Sequence, residues 1–376
     1  MSKVATSLGR PPAPATASRP SGQAGLFRAG FLALLLVLGA CACSDDDSKP
    51  PPHRVPLGVQ VTPVGQEGRD PELIETYLSV RQARFDHAQI IVPWAAIEDS
   101  AGERDWTSLE LHRENVAVEG PSLWLTVPLI DHDVAGLRPA GLEGEPWNAE
   151  SLNARFLAFL EALAVEAGPR LEGIWIGRDI DAYLRAYPSE LRGVIGMLQS
   201  CRDAVNGLRP DLLVGTTVSY GEMEQTGTLW IGDSLRAAVE ILGLSVFGRN
   251  ASFAQTQAPA QSVERIRAAA ARYANQPIAL AEVGFPCFSF EEQASQENFA
   301  ALLCGYLSDA PEHVHHATWF CLHDYRPADA EAEAARIEPD GGRRDAYIAQ
   351  LRSLGLRDGA GTARLAWYVI RDWNAG

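Results

Sequence analysis

The sequence predicts an α/β protein built as a single (β/α)8 barrel. Short apolar runs, each typical of a strand buried on both faces, alternate with helix-like stretches along the chain. Eight such units follow one another without a repeat period, and the roughly 320 residues from 56 to 376 suffice for one closed barrel. The alternative is a doubly wound sheet with an appended helical domain. That fold needs an early GxGxxG turn, which Val64-Gly-Gln-Glu-Gly68 does not supply.

The eight predicted strands are apolar runs that are too short for buried helices. In chain order they are Leu57–Val61, Gln89–Pro93, Ser122–Val127, Gly173–Gly177, Leu212–Val218, Leu242–Phe247, Ile278–Glu282 and Ala317–Leu322. The fourth run leads into Asp179, and the seventh ends in Glu282. Carboxylates are rarely left inside a core, so both acids are expected where their strands emerge from the barrel.

Helix-like stretches separate these strands and return the chain to the same direction, as a parallel sheet requires. The first opens at Asp70-Pro71, where aspartate can cap the helix and proline can occupy its first turn. The others are expected near Trp106–Val118, Asn148–Glu166, Leu191–Val205, Leu235–Glu240, Val263–Tyr273, Ser295–Leu307, Arg344–Leu354 and Ala363–Ile370.

Residues 1–40 are predicted to be a lipoprotein signal peptide. Four cationic and no acidic side chains surround an apolar core, Phe31–Leu38, that is too short to span a membrane as a mature helix. Leu38-Gly-Ala-Cys41 resembles the bacterial lipobox, which would make Cys41 the lipidated first residue and the membrane anchor. An ordinary secretory signal with an incidental cysteine is the alternative. Ala42 favours the outer membrane of the cell envelope, and residues 41–55 are expected to form a flexible tether.

Charge and motif content restrict the partners. The formal charge is −16, and removal of residues 1–40 makes it −20 because four cations and no acids are lost. Such an acidic chain argues against a nucleic acid partner and suits a neutral ligand. The chain contains no CxxC or HExxH pattern and no cofactor motif, so neither metal nor cofactor is expected. Disulfide pairing stays open for Cys201, Cys287, Cys304 and Cys321, since their spacings do not show which of them pair.

In a (β/α)8 barrel the functional face is the one where the strands end. Asp179 and Glu282 are about a hundred residues apart in sequence, and two carboxylates brought together are what glycoside hydrolysis requires. Asp131, in Asp131-His-Asp133 after the third strand, is predicted to contact the ligand; a metal-binding segment and a solvated loop are the alternatives. His313, His315 and His316 precede the eighth strand and are interpreted as surface histidines on the opposite face.

Three motifs follow one another in the expected order. They are Trp94-Ala-Ala-Ile-Glu98 with Gly102 and Asp105-Trp106 after it, Ile176-Gly-Arg-Asp-Ile-Asp181, and Ala281-Glu-Val-Gly-Phe-Pro286. They resemble elements after strands two, four and seven of a large clan of retaining (β/α)8 glycoside hydrolases. That clan contains β-galactanases, cellulases and β-glucosidases. Trp319 is similar to the clan's sugar-platform tryptophan of strand eight, and the likeness extends over roughly Leu57 to Tyr325.

The resemblance implies a role for each matching residue. Glu282 would be the nucleophile and Asp179 the general acid/base, with Trp319 and Trp94 contacting the sugar. The implied reaction is retaining hydrolysis of a β-linked carbohydrate through a covalent glycosyl-enzyme intermediate. Such a pair needs different environments, because one carboxyl must stay ionised while the other keeps its proton.

Three departures from the clan's pattern fall on this apparatus. Asp179 replaces a glutamate, which withdraws the acid by about 1 Å, and misplacement on that scale can cost about a hundredfold in rate. Arg178 replaces the asparagine that binds the 2-hydroxyl, and its guanidinium could pair with either acid and lower its pKa. Phe247 stands where a tyrosine usually holds the nucleophile. Two functions therefore stay open: a hydrolase, with Arg178 also contacting the ligand, or a catalytically inactive glycan-binding or cell-envelope scaffold protein.

Overall fold

The computed structural model describes residues 54–62, 73–117, 120–136, 138–248, 257–337 and 343–376. The predicted signal peptide, Cys41 and nearly all of the tether lie outside the described residues, as does the predicted helix start at Asp70-Pro71. Within the described ranges, no helix has the length and apolar character needed to cross a membrane.

The described strands form one closed parallel ring. Its members are β1 (Leu57–Gln60), β2 (His87–Ile91), β3 (Ser122–Asp131), β5 (Leu171–Arg178), β6 (Leu213–Ser219), β7 (Ile241–Phe247), β8 (Ile278–Gly284) and β9 (Val314–Trp319). A short strand, β4 (Val134–Ala135), pairs antiparallel with the end of β3. The ring closes because β1 pairs with both β2 and β9, and β2 pairs with β3. This confirms the predicted (β/α)8 barrel and excludes the doubly wound alternative.

Helices cover the outside of the ring and the carboxyl ends of its strands. They are α1 (Leu73–Gln82), α2 (Trp94–Ile97), α3 (Thr107–Val116), α4 (Glu150–Glu166), α5 (Asp181–Ala186), α6 (Leu191–Leu208), α7 (Tyr220–Thr226), α8 (Trp230–Leu235), α9 (Pro259–Arg272), α10 (Gln293–Ser308), α11 (Pro327–Ile337), α12 (Arg344–Leu351) and α13 (Leu365–Ala375). Alternate strand residues such as Val59, Leu125 and Val214 point outward into the core that these helices complete.

Side chains fill the inside of the ring. Trp124 of β3 and Trp175 of β5 stack with ring centroids 4.9 Å apart, and Ala279 and Ala281 of β8 lie in the same cluster. Gly173 makes room for this layer, since a Cβ there would lie 2.3 Å from the Trp124 ring. The centre of the barrel is therefore a packed core, which leaves function to the ends of the strands.

The eighth strand of the ring starts earlier than the sequence predicts. β9 begins at Val314 rather than Ala317, so His316 lies within it. The His316 side chain is only 1% exposed, and its ring centroid lies 4.2 Å from that of Trp124 inside the barrel. The interpretation as a surface histidine is therefore wrong for His316, whereas His315 is exposed.

Candidate functional site

The two predicted catalytic acids lie at the same end of the barrel. Glu282 is in the last part of β8 and Asp179 directly follows β5, with β6 and β7 between them in the ring. Asp179 is 2% and Glu282 3% exposed. We call this end the mouth and define it by the residues that meet there: Asp131, Arg178, Asp179, Phe247, Glu282 and Phe320.

The backbone turns sharply at Asp179. Gly177 and Asp179 have φ angles of +87° and +47°, in the left-handed region that non-glycine residues rarely adopt. The Asp179 N–H donates to Thr217 Oγ1 of β6 over 2.8 Å, which fixes the turn against the neighbouring strand. Within the described residues, the buried Asp179 Oδ1 has no hydrogen-bond partner. A strained aspartate with a buried carboxylate oxygen is a feature that functional sites retain.

A second acid stands beside Asp179. Asp181, the first residue of α5, is fully buried, and its Oδ1 accepts a hydrogen bond of 2.7 Å from the Ser219 N–H. Burial raises the pKa of Asp181 well above its ordinary value, and the charges of Asp179 and Glu222 add to the rise. The environment of Asp181 therefore favours a retained proton.

Arg178 belongs to a network of four charged groups, in which Arg178 and Asp131 are buried and Glu333 and Arg336 are half-buried. Its Nε donates to Asp131 Oδ1 over 2.8 Å, and its Nη2 donates to Glu333 Oε1 of α11 over 2.6 Å. Arg336, one turn further along α11, donates to Asp131 Oδ2 over 2.5 Å and to Glu333 Oε2 over 2.9 Å. Two cations and two anions thus alternate in a closed ring, and the network carries no net charge.

This network sets the ionisation of its members. Burial alone would raise the pKa of Asp131, but Arg178 and Arg336, with help from His132, hold it well below its usual range. Burial likewise acts to lower the pKa of Arg178, yet the carboxylates of Asp131 and Glu333 hold it well above its usual range. The negative charge of the Glu282 carboxylate also raises the pKa of Arg178.

The pairing of Arg178 differs from both sequence-based alternatives. Its hydrogen bonds go to Asp131 and Glu333 rather than to Asp179 or Glu282. Asp131 is 1% exposed, which excludes the solvated-loop alternative, and its carboxylate is engaged by two guanidinium groups. In this conformation both carboxylate oxygens of Asp131, and Nε and Nη2 of Arg178, are therefore engaged within the protein rather than directed to a ligand.

Helices α11 and α12, which we call the cover helices, lie across the mouth. Glu333 and Arg336 of α11 reach the ends of β3 and β5. On the other side of the ring, Phe247 of β7 and Phe320 after β9 pack in one cluster with cover-helix residues, among them Ala330, Ala334, Ile337, Tyr347 and Leu351. One helix thus contacts strand ends on opposite sides of the ring. Within the described residues, these contacts close the mouth, and the acids there are buried.

The aromatic side chain that faces the mouth is Phe320 rather than Trp319. Trp319 is fully buried, packs against Phe299 of α10 with centroids 5.7 Å apart, and donates from Nε1 to the Leu354 carbonyl over 3.1 Å. Successive side chains of a strand point to opposite faces, so Phe320 points inward and its ring lies 5.7 Å from that of Phe247. This placement does not support the sugar platform expected of Trp319.

Trp94 also has a packing position. It is the first residue of α2, is 1% exposed, and lies 5.0 Å from the ring of Phe156 and 5.8 Å from that of Phe159, both on α4. The contact of Trp94 with a sugar has no support from this geometry, because the indole faces a surrounding helix.

Residues after β9 have structural roles. Arg364 donates to Asp324 Oδ2 over 2.5 Å, and burial raises the pKa of Asp324 to about 7 in spite of that partner.

The four cysteines whose pairing the sequence leaves open, Cys201, Cys287, Cys304 and Cys321, are all buried thiols. Among the described residues, no three His, Cys, Asp or Glu side chains are arranged to hold a metal ion.

Sequence reasoning missed three residues that form or cover the mouth. They are Glu333, Arg336 and Phe320. The signal for the first two was present, because Pro327-Ala-Asp-Ala-Glu-Ala-Glu-Ala-Ala-Arg-Ile337 is rich in strong helix formers after an N-terminal proline. No local signal indicates that this helix lies over the mouth.

Solved structures similar to this one are glycoside hydrolases. An exo-beta-1,4-mannosidase from Opitutaceae bacterium strain TAV5 has a TM-score of 0.66 at 15% identity, covering 85% of this chain and 59% of that one. A GH5_18 variant from Bifidobacterium longum subsp. longum ATCC 55813, in complex with Manβ1-4GlcNAc, has a TM-score of 0.64 at 17% identity, covering 85% and 78%. A family 39 glycoside hydrolase from Bacteroides cellulosilyticus WH2 has a TM-score of 0.57 at 14% identity, covering 87% and 65%.

These likenesses establish the fold, which is that of (β/α)8 glycoside hydrolases, as the sequence resemblance predicted. The chain spans less than two thirds of the length of the mannosidase and of the family 39 enzyme. No family model and no curated protein sequence matches the chain.

Proposed function

We propose that this protein is an exported carbohydrate-binding barrel of the glycoside-hydrolase type, and that its ancestral hydrolytic centre is held shut. Its ligand is a β-linked carbohydrate. Oligosaccharides containing β-1,4-linked mannose are the first candidates, because two of the similar structures are an exo-beta-1,4-mannosidase and a protein in complex with Manβ1-4GlcNAc.

The observation that carries the proposal is the charge-neutral network beneath the cover helices. Retaining hydrolysis needs an ionised nucleophile and a protonated acid about 5–5.5 Å apart with a sugar between them. Here Arg178, Asp179 and Glu282 are each 3% exposed or less, and Arg178 joins Asp131 to Glu333 of α11. A sugar ring enters this space only if the ion pairs and the apolar contacts of the cover helices are broken.

A retaining hydrolase is the second candidate. It is favoured by the position of Asp179 and Glu282, which come from different strands and lie at the same end of one ring. In that reaction Glu282 would attack the anomeric carbon and Asp179 would protonate the leaving oxygen, after the cover helices have moved.

Export and anchoring belong to the same proposal. The cationic leader, the short apolar core and Leu38-Gly-Ala-Cys41 support lipidation at Cys41, and Ala42 favours an outer-membrane location in the cell envelope. Radiolabelled palmitate should be incorporated into the protein in bacterial cells, and Cys41→Ala should abolish the labelling. A labelled Cys41→Ala protein would contradict the anchor.

Hydrolysis and binding can be separated in one experiment. The full-length protein is titrated calorimetrically with mannotetraose and cellotetraose, both β-1,4-linked, and the same mixtures are assayed for released reducing ends. We expect binding of at least one of the two without release. Glu282→Gln is compared with Glu264→Gln, the same substitution at a site whose side chain is 74% exposed on α9.

Release that Glu282→Gln abolishes and Glu264→Gln retains would establish the hydrolase in place of the binding protein. Failure of the wild-type protein to bind either tetrasaccharide would contradict the proposed function in both forms.

A further inference from the structure

A second concave surface lies beside the closed mouth. It is a cleft of about 840 Å³ between the loop that joins β3 to α4 and the outer face of α6. We call it the outer cleft; Arg138, Trp147, Asn153, Glu190, Gly196 and Ser200 are among its lining residues. Tyr183, which lines the cleft, belongs to α5, the short helix that directly follows the turn at Asp179, and its N–H donates to the His132 carbonyl over 3.0 Å, so this end of the cleft adjoins the mouth. Its volume is in the usual range for a small-molecule site, about 300–1,000 Å³.

One wall of the outer cleft is a fixed set of polar groups. Glu190 Oε2 accepts hydrogen bonds of 2.6 Å from Trp147 Nε1 and 2.6 Å from the Tyr183 hydroxyl. The Arg138 guanidinium lies over the Trp147 ring, 4.1 Å from its centroid, and donates to the Glu145 carbonyl over 2.7 Å. These groups are held in place before any ligand arrives, which lowers the entropic cost of binding.

Two buried polar atoms of the same wall lack partners. Among the described residues, neither Arg138 Nε nor Asn153 Oδ1 has a hydrogen-bond partner, although both side chains line the cleft. One is a donor and the other an acceptor. Leaving such a group unsatisfied is unfavourable, but both atoms are shielded from solvent, so a ligand in the cleft would reach them only after the side chains shift.

The charges of the outer cleft cancel. Its charged side chains are Arg138, Arg192, Glu145 and Glu190, two of each sign. Amides and hydroxyls also contribute to the lining, from Asn148, Asn153, Ser189 and Ser200. A mixed set of donors and acceptors without net charge suits a neutral polyhydroxyl compound better than a phosphate or a nucleic acid, which recruit a surplus of cations.

The floor of the outer cleft is open because α6 presents small residues there. Gly193, Gly196 and Ser200 are three and four positions apart, which puts them on one face of the helix. A Cβ built at Gly196 meets no atom within 4 Å. A bulky side chain at this position would therefore occupy the cleft without displacing the core.

We propose that the outer cleft is the carbohydrate-binding site of this protein and holds a neutral, β-linked oligosaccharide alongside, rather than inside, the closed mouth. The inference rests on the proposed function, because it takes the ligand class from there. It adds the location, and it explains how a barrel with a closed mouth can still bind a sugar.

The proposal is tested by placing a bulky side chain in the outer cleft and measuring sugar binding. Gly196→Phe is compared with Gly207→Phe, which lies on the same helix, also meets no atom within 4 Å of a built Cβ, and does not line the cleft. Calorimetric titration of the full-length protein with mannotetraose and cellotetraose should give the wild-type Kd for Gly207→Phe. It should give a Kd at least tenfold weaker for Gly196→Phe. Equal melting temperatures of the two variants establish that neither has unfolded.

A smaller change probes the hydrogen bonding directly. Asn148 is exposed and lines the cleft, so Asn148→Ala should weaken binding about twofold to tenfold by loss of one hydrogen bond. Wild-type affinity in both Gly196→Phe and Asn148→Ala would overturn the outer cleft as the site and leave the proposed function standing. Absence of binding in the wild-type protein would remove the proposed function itself, so the two failures are distinguishable.

Discussion

Replacing Asp131 by asparagine tests whether the network at the mouth holds the fold together. Asp131 is 1% exposed and accepts hydrogen bonds from Arg178 and Arg336. The substitution leaves two guanidinium groups opposite one carboxylate, that of Glu333, and therefore a net positive charge where Arg178 is 2% exposed. Removing one partner of a buried ion pair typically costs about 3–5 kcal/mol, and we expect the free energy of unfolding to fall by that amount.

The double variant Asp131→Asn/Arg336→Met restores charge balance, because one anion and one cation are removed together. The remaining Arg178–Glu333 pair, 2.6 Å apart, is then neutral by itself. We expect the double variant to be more stable than the sum of the two single effects predicts, with a coupling of about 1–3 kcal/mol. Urea unfolding followed by tryptophan fluorescence at pH 7 measures all four members of the cycle.

The matched control is Asp372→Asn, the same chemical change at an ion pair on the surface. Arg371 and Asp372 lie 2.7 Å apart, and their side chains are 41% and 68% exposed, so the control should change stability by no more than about 1 kcal/mol. If Asp131→Asn cost as little as the control, or if the cycle showed no coupling, the description of a charge-balanced network would be refuted.

Three other substitutions test the barrel interior and the turn at the mouth. Burial, with the charge of His315, lowers the pKa of His87 from 6.5 to about 3, so the stability this neutral ring provides is complete above pH 6.5 and is lost as the pH falls toward 3. At pH 5, His87 should therefore lower the free energy of unfolding by about 2 kcal/mol relative to its value above pH 6.5. Urea titrations above pH 6.5 and at pH 5 should show this loss in the wild-type protein and not in His87→Gln. Gly173→Ala should lower the free energy of unfolding by about 3 kcal/mol, because its Cβ would lie 2.3 Å from the tryptophan ring of β3, whereas Gly207→Ala should not lower it. At φ +47°, Asp179→Gly should be more stable than Asp179→Ala by about 1 kcal/mol, and equal melting temperatures would exclude the left-handed conformation.

The barrel and the placement of its acids were accessible from sequence because they depend on local patterns. The strands of the ring are buried along most of their length, and burial on both faces leaves a continuous apolar run in the sequence. Asp179 and Glu282 come at or near the ends of such runs. Since the ends of parallel strands meet at one face, their common location follows without knowledge of any contact.

The eighth strand shows where this reasoning fails. His315 and His316 make the start of β9 polar in sequence, so the apolar run begins only at Ala317. In the fold His316 is buried inside the ring, where burial, together with the charges of His87 and His315, lowers its pKa and keeps the ring neutral. A neutral buried histidine packs as an aromatic side chain. Because the strand was predicted to start late, its alternation of inward-facing and outward-facing side chains was not recognised. In that alternation Trp319 points outward and Phe320 points inward.

The cover helices were out of reach for a different reason. Glu333 and Arg178 are separated by 155 residues, and their pairing depends on where α11 crosses the barrel. Helix propensity predicts that Pro327–Ile337 is helical. Solvent-exposed helices are often equally rich in alanine and glutamate, so the composition does not indicate what this helix contacts. Only the position of the helix over the mouth distinguishes a solvated acid from one that balances a buried guanidinium.

Two of the departures from the hydrolase motifs are parts of one interface. With asparagine at position 178, Asp131, Glu333 and Arg336 would leave one unbalanced negative charge beneath the cover helices; Arg178 supplies the missing cation. Phe247, where a tyrosine would present a hydroxyl, belongs to the apolar cluster that these helices complete. At these positions a tyrosine hydroxyl and an asparagine amide can hydrogen-bond to a sugar. The phenyl ring of Phe247 and the guanidinium of Arg178 contact the cover helices instead. The two residues that depart from the clan's pattern, Arg178 and Phe247, are therefore residues that stabilise the closed mouth, and this is the physical reason to look for the ligand in the outer cleft.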